Sequence, residues 1–236
     1  MRISIITLFP EVFEPILNSS ILKAAQLKNK VSIELINLRD FGEGVHKVVD
    51  GRVYGGGVGM LLRADILAKA LKSIKFSRSK KNEIILTSAS GKPYKQAKAQ
   101  ELSKQDHLVI ICGHYEGIDQ RFIDAFVKEE ISIGDYVLTG GEIPAMAIVD
   151  SIIRLIPGVL KEEATKEESF SPYTIENKPY TLLEHPHYTR PEIWNNMKVP
   201  EVLLSGNHKE IAKWRMGKSL EKTKKIRPDL LKVSKG

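Results

Sequence analysis

Two loops carry the residues of most chemical use: Gly113-His-Tyr-Glu-Gly117 and Ser132-Ile-Gly-Asp-Tyr-Val-Leu-Thr-Gly-Gly141. Glycine lets backbone amides and carbonyls come close to a ligand or take φ > 0. Each loop is read as lying at the carboxyl end of a strand, where open α/β sheets hold their ligands. Glycine content alone fits ordinary turns equally well. A third stretch, Arg39–Leu61, holds seven glycines. It is no phosphate loop, because no Gly-Lys-Ser/Thr follows, and Gly55-x-Gly57-x-x-Met60 lacks the third glycine of the dinucleotide fingerprint. Its Asp50, Arg52 and Tyr54 offer a carboxylate, a cation and a stacking ring, which suit the reading of an unpaired base. No HExxH, cysteine pair or calcium-loop pattern marks a metal site. His185-Pro-His187 reads as structural or as a contact to an RNA backbone.

The elements that must position these loops follow from periodicity. Leu108–Cys112 is a β-branched apolar run and predicts a buried strand; Arg2–Leu8 and Val31–Leu38 read as a first and a second strand, and Glu83–Leu86 as a third, core strand. Glu11–Lys28, Ala64–Ile74 and Tyr94–Ser103 predict helices between them. Strand and helix alternate, so the class is α/β with a mainly parallel sheet. Pro144–Ile156 has proline in its first turn and is apolar nearly all round, which predicts a helix buried in a core or a subunit interface. Pro157–Tyr173 is charged and reads as a linker or spacer. A last helix is expected from Asn207 to Lys222, capped by Asn207 or Ser205, with Ile211, Trp214 and Leu220 inward.

Charge is unevenly placed. Residues 177–236 hold 13 Lys and Arg against 6 Asp and Glu, while residues 1–176 balance, so the net charge of +7 lies wholly in the last part of the chain. A basic module beside a neutral one predicts a polyanion partner, most simply nucleic acid. Trp194, Trp214, Tyr180 and Tyr188 argue that the module is folded. The one cysteine, Cys112, sits inside an apolar strand and fits a reducing cytoplasm. No stretch approaches the ~20 apolar residues of a membrane helix, and the start reads as no signal peptide. A soluble, cytoplasmic protein without a membrane partner is expected.

Several longer stretches carry a resemblance. ITLFPEVF (Ile6–Phe13), VDGRVYGGGVGM (Val49–Met60), CGHYEGID (Cys112–Asp119), SIGDYVLTGGE with IPAM (Ser132–Met146), HYTRPE (His187–Glu192), LLSGNH (Leu203–His208) and KWRMGKSL (Lys213–Leu220) occur in the order found in the bacterial tRNA (guanine-N1)-methyltransferase family, TrmD, of the SPOUT class. The sequence resembles that family over nearly its whole length.

The resemblance implies a deep trefoil knot in the α/β domain, with a small, mostly helical, basic C-terminal domain. Residues 1–156 would be catalytic, 157–176 a flexible linker that orders on substrate binding, and 177–236 the tRNA-binding domain. It implies a homodimer with the active site at the subunit interface. The reaction would move a methyl group from S-adenosylmethionine to N1 of the guanine 3′-adjacent to the anticodon, in support of reading-frame maintenance. Magnesium is implied for activity, with no ligand set readable.

Residue by residue, the cofactor would meet Leu86 and Ser88 on the first loop. Gly113, Tyr115 and Glu116 lie on the second, and Glu116 could equally touch the target base. Ser132, Ile133, Gly134, Asp135, Tyr136, Val137, Leu138, Gly140, Gly141 and Pro144 follow on the third. Backbone groups of Gly113, Ile133, Gly134, Tyr136 and Leu138 would bond the adenine, with Gly140 and Gly141 giving clearance. Leu86 and Ala89 stand where the family often has Tyr and Pro. The tRNA would meet Asp50, Arg52, Gly55, Gly59, His185, Arg190, Lys213 and Arg215.

Arg154 matches the family's arginine on guanine O6, although hydrogen bonding to the last carbonyls of its helix is the plainer reading. The family's base, usually Asp before a Ser-Phe pair, falls on Glu168 in Glu167-Glu168-Ser169-Phe170, in a linker one residue shorter. The shorter linker and the extra methylene are expected to compensate; Glu167 is the alternative base. Two rivals remain open: a non-catalytic RNA-binding protein that keeps the cofactor pocket, and a ribose methyltransferase of the same fold.

Overall fold

The computed structural model describes residues 1–76, 81–165, 167–175 and 178–231. Lys166, Glu176, Asn177 and 232–236, parts of the expected linker and basic domain, lie outside them. The chain divides into two compact units, Met1–Leu160 and Lys161–Gly236.

In the first unit β1 (Arg2–Thr7) leads to α1 (Glu14–Leu17), α2 (Ser20–Leu27) and β2 (Ser32–Asn37). A hairpin of β3 (Asp50–Arg52) and β4 (Met60–Leu62) follows, then α3 (Ala64–Ser73), β5 (Asn82–Pro93) and α4 (Gln96–Leu102). The unit closes with β6 (His107–Cys112), α5 (Gln120–Phe126), β7 (Glu129–Ser132) and α6 (Glu142–Ile153). The five-stranded sheet has the order β2-β1-β6-β5-β7, and every neighbouring pair is parallel. This bears out the expected class, α/β with a mainly parallel sheet. All six residues of β6 are buried, as befits a central parallel strand covered on both faces.

Strand alternation sends Ile3, Ile5, Leu108 and Ile110 into one core with Phe13, Leu22, Leu102 and the α6 residues Ala145, Ile148, Val149 and Ile152. Ile6, Val109 and Ile111 face the other way, onto Ile66, Leu67 and Ala70 of α3 and Phe122 of α5. Helices therefore cover both faces and leave the strand ends to the loops.

Three local expectations need correction. The helix expected over Glu11–Lys28 is broken into a short turn, α1 and α2, with Ser20 at φ 43°. Pro15 explains the break before α1, since its ring lacks the amide and clashes with the Glu11 carbonyl four residues earlier. The third strand does not stop at Leu86 but runs to Pro93 with an outward excursion at 88–91. Finally, the glycine-rich stretch is not loop throughout, because β3 and β4 pair antiparallel across it.

The second unit holds two hairpins, β8 (Ser171–Ile175) with β9 (Lys178–Leu182) and β10 (Ile193–Trp194) with β11 (Met197–Lys198), then α7 (Glu201–Leu204) and α8 (His208–Ile226). It is not helical throughout, and strand β8 lies inside the segment expected to be linker. Of the two expected caps, Asn207 acts on α8: its Oδ1 accepts from the amides of Lys209 and Glu210, whereas Ser205 Oγ accepts only from the Asn207 amide, ahead of the helix. Ile211, Trp214 and Leu220 are only half-buried; the buried positions are Ser219 and Thr223.

Candidate functional site

The carboxyl ends of β5, β6 and β7 meet around one cleft of about 470 Å³, within the usual range for a small-molecule site. Its walls come from the three loops. On the first, Ile131 of β7 pairs with both Thr87 and Lys92, so residues 88–91 are pushed out of the sheet. Gly91 permits this, since a Cβ there would lie 2.5 Å from the Ile131 amide nitrogen. Leu86 is buried beneath, and Ser88 Oγ lies 2.9 Å from Ser90 Oγ on the excursion.

The second loop turns sharply at Tyr115 (φ 60°) and Gly117 (φ 130°), closed by the Gly117 amide donating to the His114 carbonyl at 3.1 Å. In the third, Ser132 Oγ donates to the Gly134 carbonyl at 2.9 Å, and the Tyr136 amide donates to the same oxygen. A Cβ on Gly134 would strike the Tyr136 ring at 2.3 Å.

The loops are tied together where they leave the sheet. The Gly141 amide donates to the Gly113 carbonyl at 2.7 Å. A Cβ on Gly141 would fall 2.2 Å from Thr87 Oγ1 and 2.6 Å from the Gly113 nitrogen, so the third loop passes the other two with no room for a side chain. Thr87 Oγ1 lies 3.2 Å from the carbonyls of both Ile111 and Gly141.

Leu86, Ser88, Gly113, Tyr115, Glu116, Ser132, Ile133, Gly134, Tyr136, Val137, Leu138, Gly140, Gly141 and Pro144 all line this cleft; Asp135 does not and is exposed. The lining also includes residues that sequence reasoning passed over, among them Thr87, His114, Gln120 and Thr139. Thr87 left no local signal, because its role is a contact between three loops. A backbone-lined cavity with aromatic rims at Tyr115 and Tyr136 and an exposed carboxylate at Glu116 suits a nucleoside bearing a polar tail. Among the described residues there is no group of three or more His, Cys, Asp or Glu able to hold a metal ion.

The β3–β4 hairpin is fastened to the second loop. Leu62 donates to Gly117, Asp119 donates to Leu62, and Glu116 donates to Met60, each at 3.0 Å. Asp50 and Arg52 stand on β3, opposite Leu62 and Met60. Gly55 and Gly59 bend the connecting loop at φ 88° and 110°, and Tyr54 projects from it almost fully exposed. The hairpin thus presents a carboxylate, a guanidinium and a ring from one support beside the cleft.

Arg154 is half-buried directly after α6, where its amide donates to the Asp150 carbonyl at 3.3 Å. In the second unit Glu168 is half-buried in a tight turn, its carbonyl accepting from the Ser171 amide at 3.1 Å. Phe170 takes φ 72° under the Arg227 guanidinium, which lies 5.9 Å from the ring centre. His185 is buried against His187, ring centres 4.5 Å apart. Arg190, Lys213 and Arg215 are exposed, and Lys213 borders a shallow groove walled by Trp214 and Val202.

Fold and cleft together define a parallel α/β protein with a largely backbone-lined cleft, of a size for a small ligand, where three strands give way to loops. Residues 1–233 match the family described as tRNA (Guanine-1)-methyltransferase TrmD. A relative from Bacillus pumilus is 52% identical over 98% of this chain and 92% of its own. One from Caldicellulosiruptor saccharolyticus is 52% identical over 99% and 91%, and one from Bacillus subtilis 48% identical over 98% and 93%. All three are named tRNA (guanine-N(1)-)-methyltransferase. The chain belongs to the TrmD family.

Proposed function

We propose that this tRNA (guanine-N1)-methyltransferase takes its methyl group from S-adenosylmethionine held in the β5–β6–β7 cleft. The acceptor is N1 of the guanine 3′-adjacent to the anticodon, which keeps the reading frame. The observation that carries the reading is the family match over residues 1–233, together with Gly113, Gly117, Gly134, Gly140 and Gly141 lining one cleft.

When bound, S-adenosylmethionine supplies an electrophilic methyl on a sulfonium. The chain's residues must orient it, take a proton and stabilise charge. Backbone groups of Gly113, Ile133, Gly134, Tyr136 and Leu138 hold the adenine. The Glu168 carboxylate would accept the N1 proton, freeing the N1 electron pair to take the methyl group from a sulfonium donor held in the cleft, which would leave as a neutral thioether. The Arg154 guanidinium donates to O6 as negative charge grows there. Asp50, Arg52 and the Gly55–Gly59 loop read the neighbouring bases, and the basic segment, with Arg190, Lys213 and Arg215, holds phosphates.

The domain scheme, catalytic over 1–156, connecting over 157–176 and tRNA-binding over 177–236, belongs to this reading. So do the trefoil knot, the cytoplasmic location and a homodimer with a shared active site. Ile143 on α6 and Val12, Ile16 and Ile21 around α1 and α2 are exposed apolar side chains that a second subunit would cover. No helix among the described residues is long and apolar enough to cross a membrane.

Labelled-methyl transfer to two transcripts, one with guanine and one with adenine 3′ of the anticodon, tests the reading. Transfer to the guanine transcript alone is expected. Binding of S-adenosylmethionine without transfer to either would favour the non-catalytic RNA-binding rival.

A further inference from the structure

A buried carboxylate stands directly behind the wall of the cleft. Glu142, the first residue of α6, is only 7% exposed. Its Oε1 accepts from Thr7 Oγ1 at 2.8 Å, and Thr7 Oγ1 accepts the Phe9 amide at 3.0 Å. Its Oε2 faces Gly140, where a Cβ would lie 2.4 Å away. Gly140 lines the cleft, so a single glycine separates the carboxylate from whatever is bound.

The ion pairs of the first unit, among the described residues, fall elsewhere, on Glu34, Asp40, Glu43, Asp65, Glu83, Glu101, Asp119 and Glu129. Among the described residues no lysine, arginine or histidine pairs with Glu142. His114 Nδ1 also points toward Gly140, 2.8 Å from the same Cβ position, yet it is buried without a hydrogen-bond partner. An unpaired buried charge is costly, and among the described residues the Thr7 hydroxyl and the amino-terminal dipole of α6 are what offset it. The remaining negative potential extends into the cleft, because low-dielectric walls focus a field toward an opening.

The methyl donor carries a positive sulfonium, whereas the product, S-adenosylhomocysteine, is a neutral thioether. We propose that Glu142, acting through the wall at Gly140, sets the preference of the cleft for the cationic cofactor over its neutral product. The inference rests on the cofactor reading given above. Glu142 touches no reacting atom; it biases binding by charge and so favours release of product after the sulfonium is consumed.

Calorimetric affinities for S-adenosylmethionine and S-adenosylhomocysteine, in the wild type and in Glu142→Gln, test the proposal. Glutamine keeps the shape and an acceptor for Thr7 but removes the charge. The preference for the cation is expected to fall about 3- to 10-fold, almost entirely through weaker cofactor binding. An unchanged preference, or an equal loss for both ligands, overturns the proposal.

If Glu142→Gln does not fold, a salt series on the wild type decides. A buried charge is poorly screened, so the preference should hold within about twofold between roughly 0.05 and 0.5 M salt. Its collapse over that range would assign the selectivity to the exposed Glu116 and overturn the role of Glu142. A wild type that binds neither nucleoside refutes the cofactor reading itself, and the proposal with it.

Discussion

The side chain of Glu116 lies against the bare Cα of Gly59: a Cβ built there would sit 2.3 Å from Glu116 Cγ and 2.7 Å from Oε1. Gly59 also holds φ 110°, a conformation that L side chains rarely adopt. Gly59→Ala should therefore cost about 1–3 kcal/mol locally and displace Glu116. Methyl transfer is expected to fall by about tenfold or more. In a Glu116→Ala background the further loss should shrink to the backbone part alone. Equal losses in both backgrounds would show that the two residues act independently.

Gly141→Ala places a methyl group against backbone on two sides, between the Gly113 amide and Cys112 Cα, as well as against Thr87 Oγ1. Backbone cannot rotate away, so a loss of about 2–4 kcal/mol of stability is expected, with cofactor binding abolished. Thermal melting and calorimetry read both. Gly217→Ala, within α8, with no positive φ and nothing within 4 Å of its Cβ, should leave the melting temperature within a few degrees.

Removing the proposed base separates proton transfer from binding. Glu168→Gln should lower kcat by about 10²–10⁴ with S-adenosylmethionine affinity retained, whereas Glu167→Gln should stay within a few-fold. The reverse pattern in single-turnover transfer moves the base to Glu167.

Acid should weaken the fold through His107. It is buried at the start of β6, with Nε2 2.9 Å from Ser4 Oγ. Ser4 donates to Glu34, so His107 must donate from Nε2, which leaves Nδ1 a buried acceptor with no partner. Burial, and then the Arg2 charge, hold its pKa below the ordinary 6.5. The unfolded chain therefore binds more protons than the native one, so stability is lost as pH falls from 6.5 toward the lowered native value. Urea melts at about pH 7.5 and 5.5 should show this loss, and His107→Gln should flatten it.

Asn207→Ala removes an oxygen that serves two amides at the start of α8. About 1 kcal/mol should be lost from the second unit, followed by hydrogen exchange along α8.

Strands β1, β2 and β6 were legible in the sequence because each is a β-branched apolar run, and the glycine loops because Gly113, Gly134 and Gly141 punctuate them. The break at α1 was legible in principle, since Pro15 carries it. Thr87 and Glu142 were not legible as site residues. Their partners, Gly141 and Thr7, are distant along the chain, and only the closed sheet brings them together. Strand β8 was hidden for a different reason: Ser171–Ile175 is five residues with a proline, directly after a charged stretch, and its pairing depends on β9.

Both ends of the 88–91 excursion are stitched to one residue, Ile131. The sheet therefore resumes its register at Lys92 whatever happens in between. This makes residues 88–90 a replaceable cartridge, anchored by an obligatory Gly91, whose composition can drift, by natural variation or by design, to retune what the cleft admits without disturbing the strands beneath.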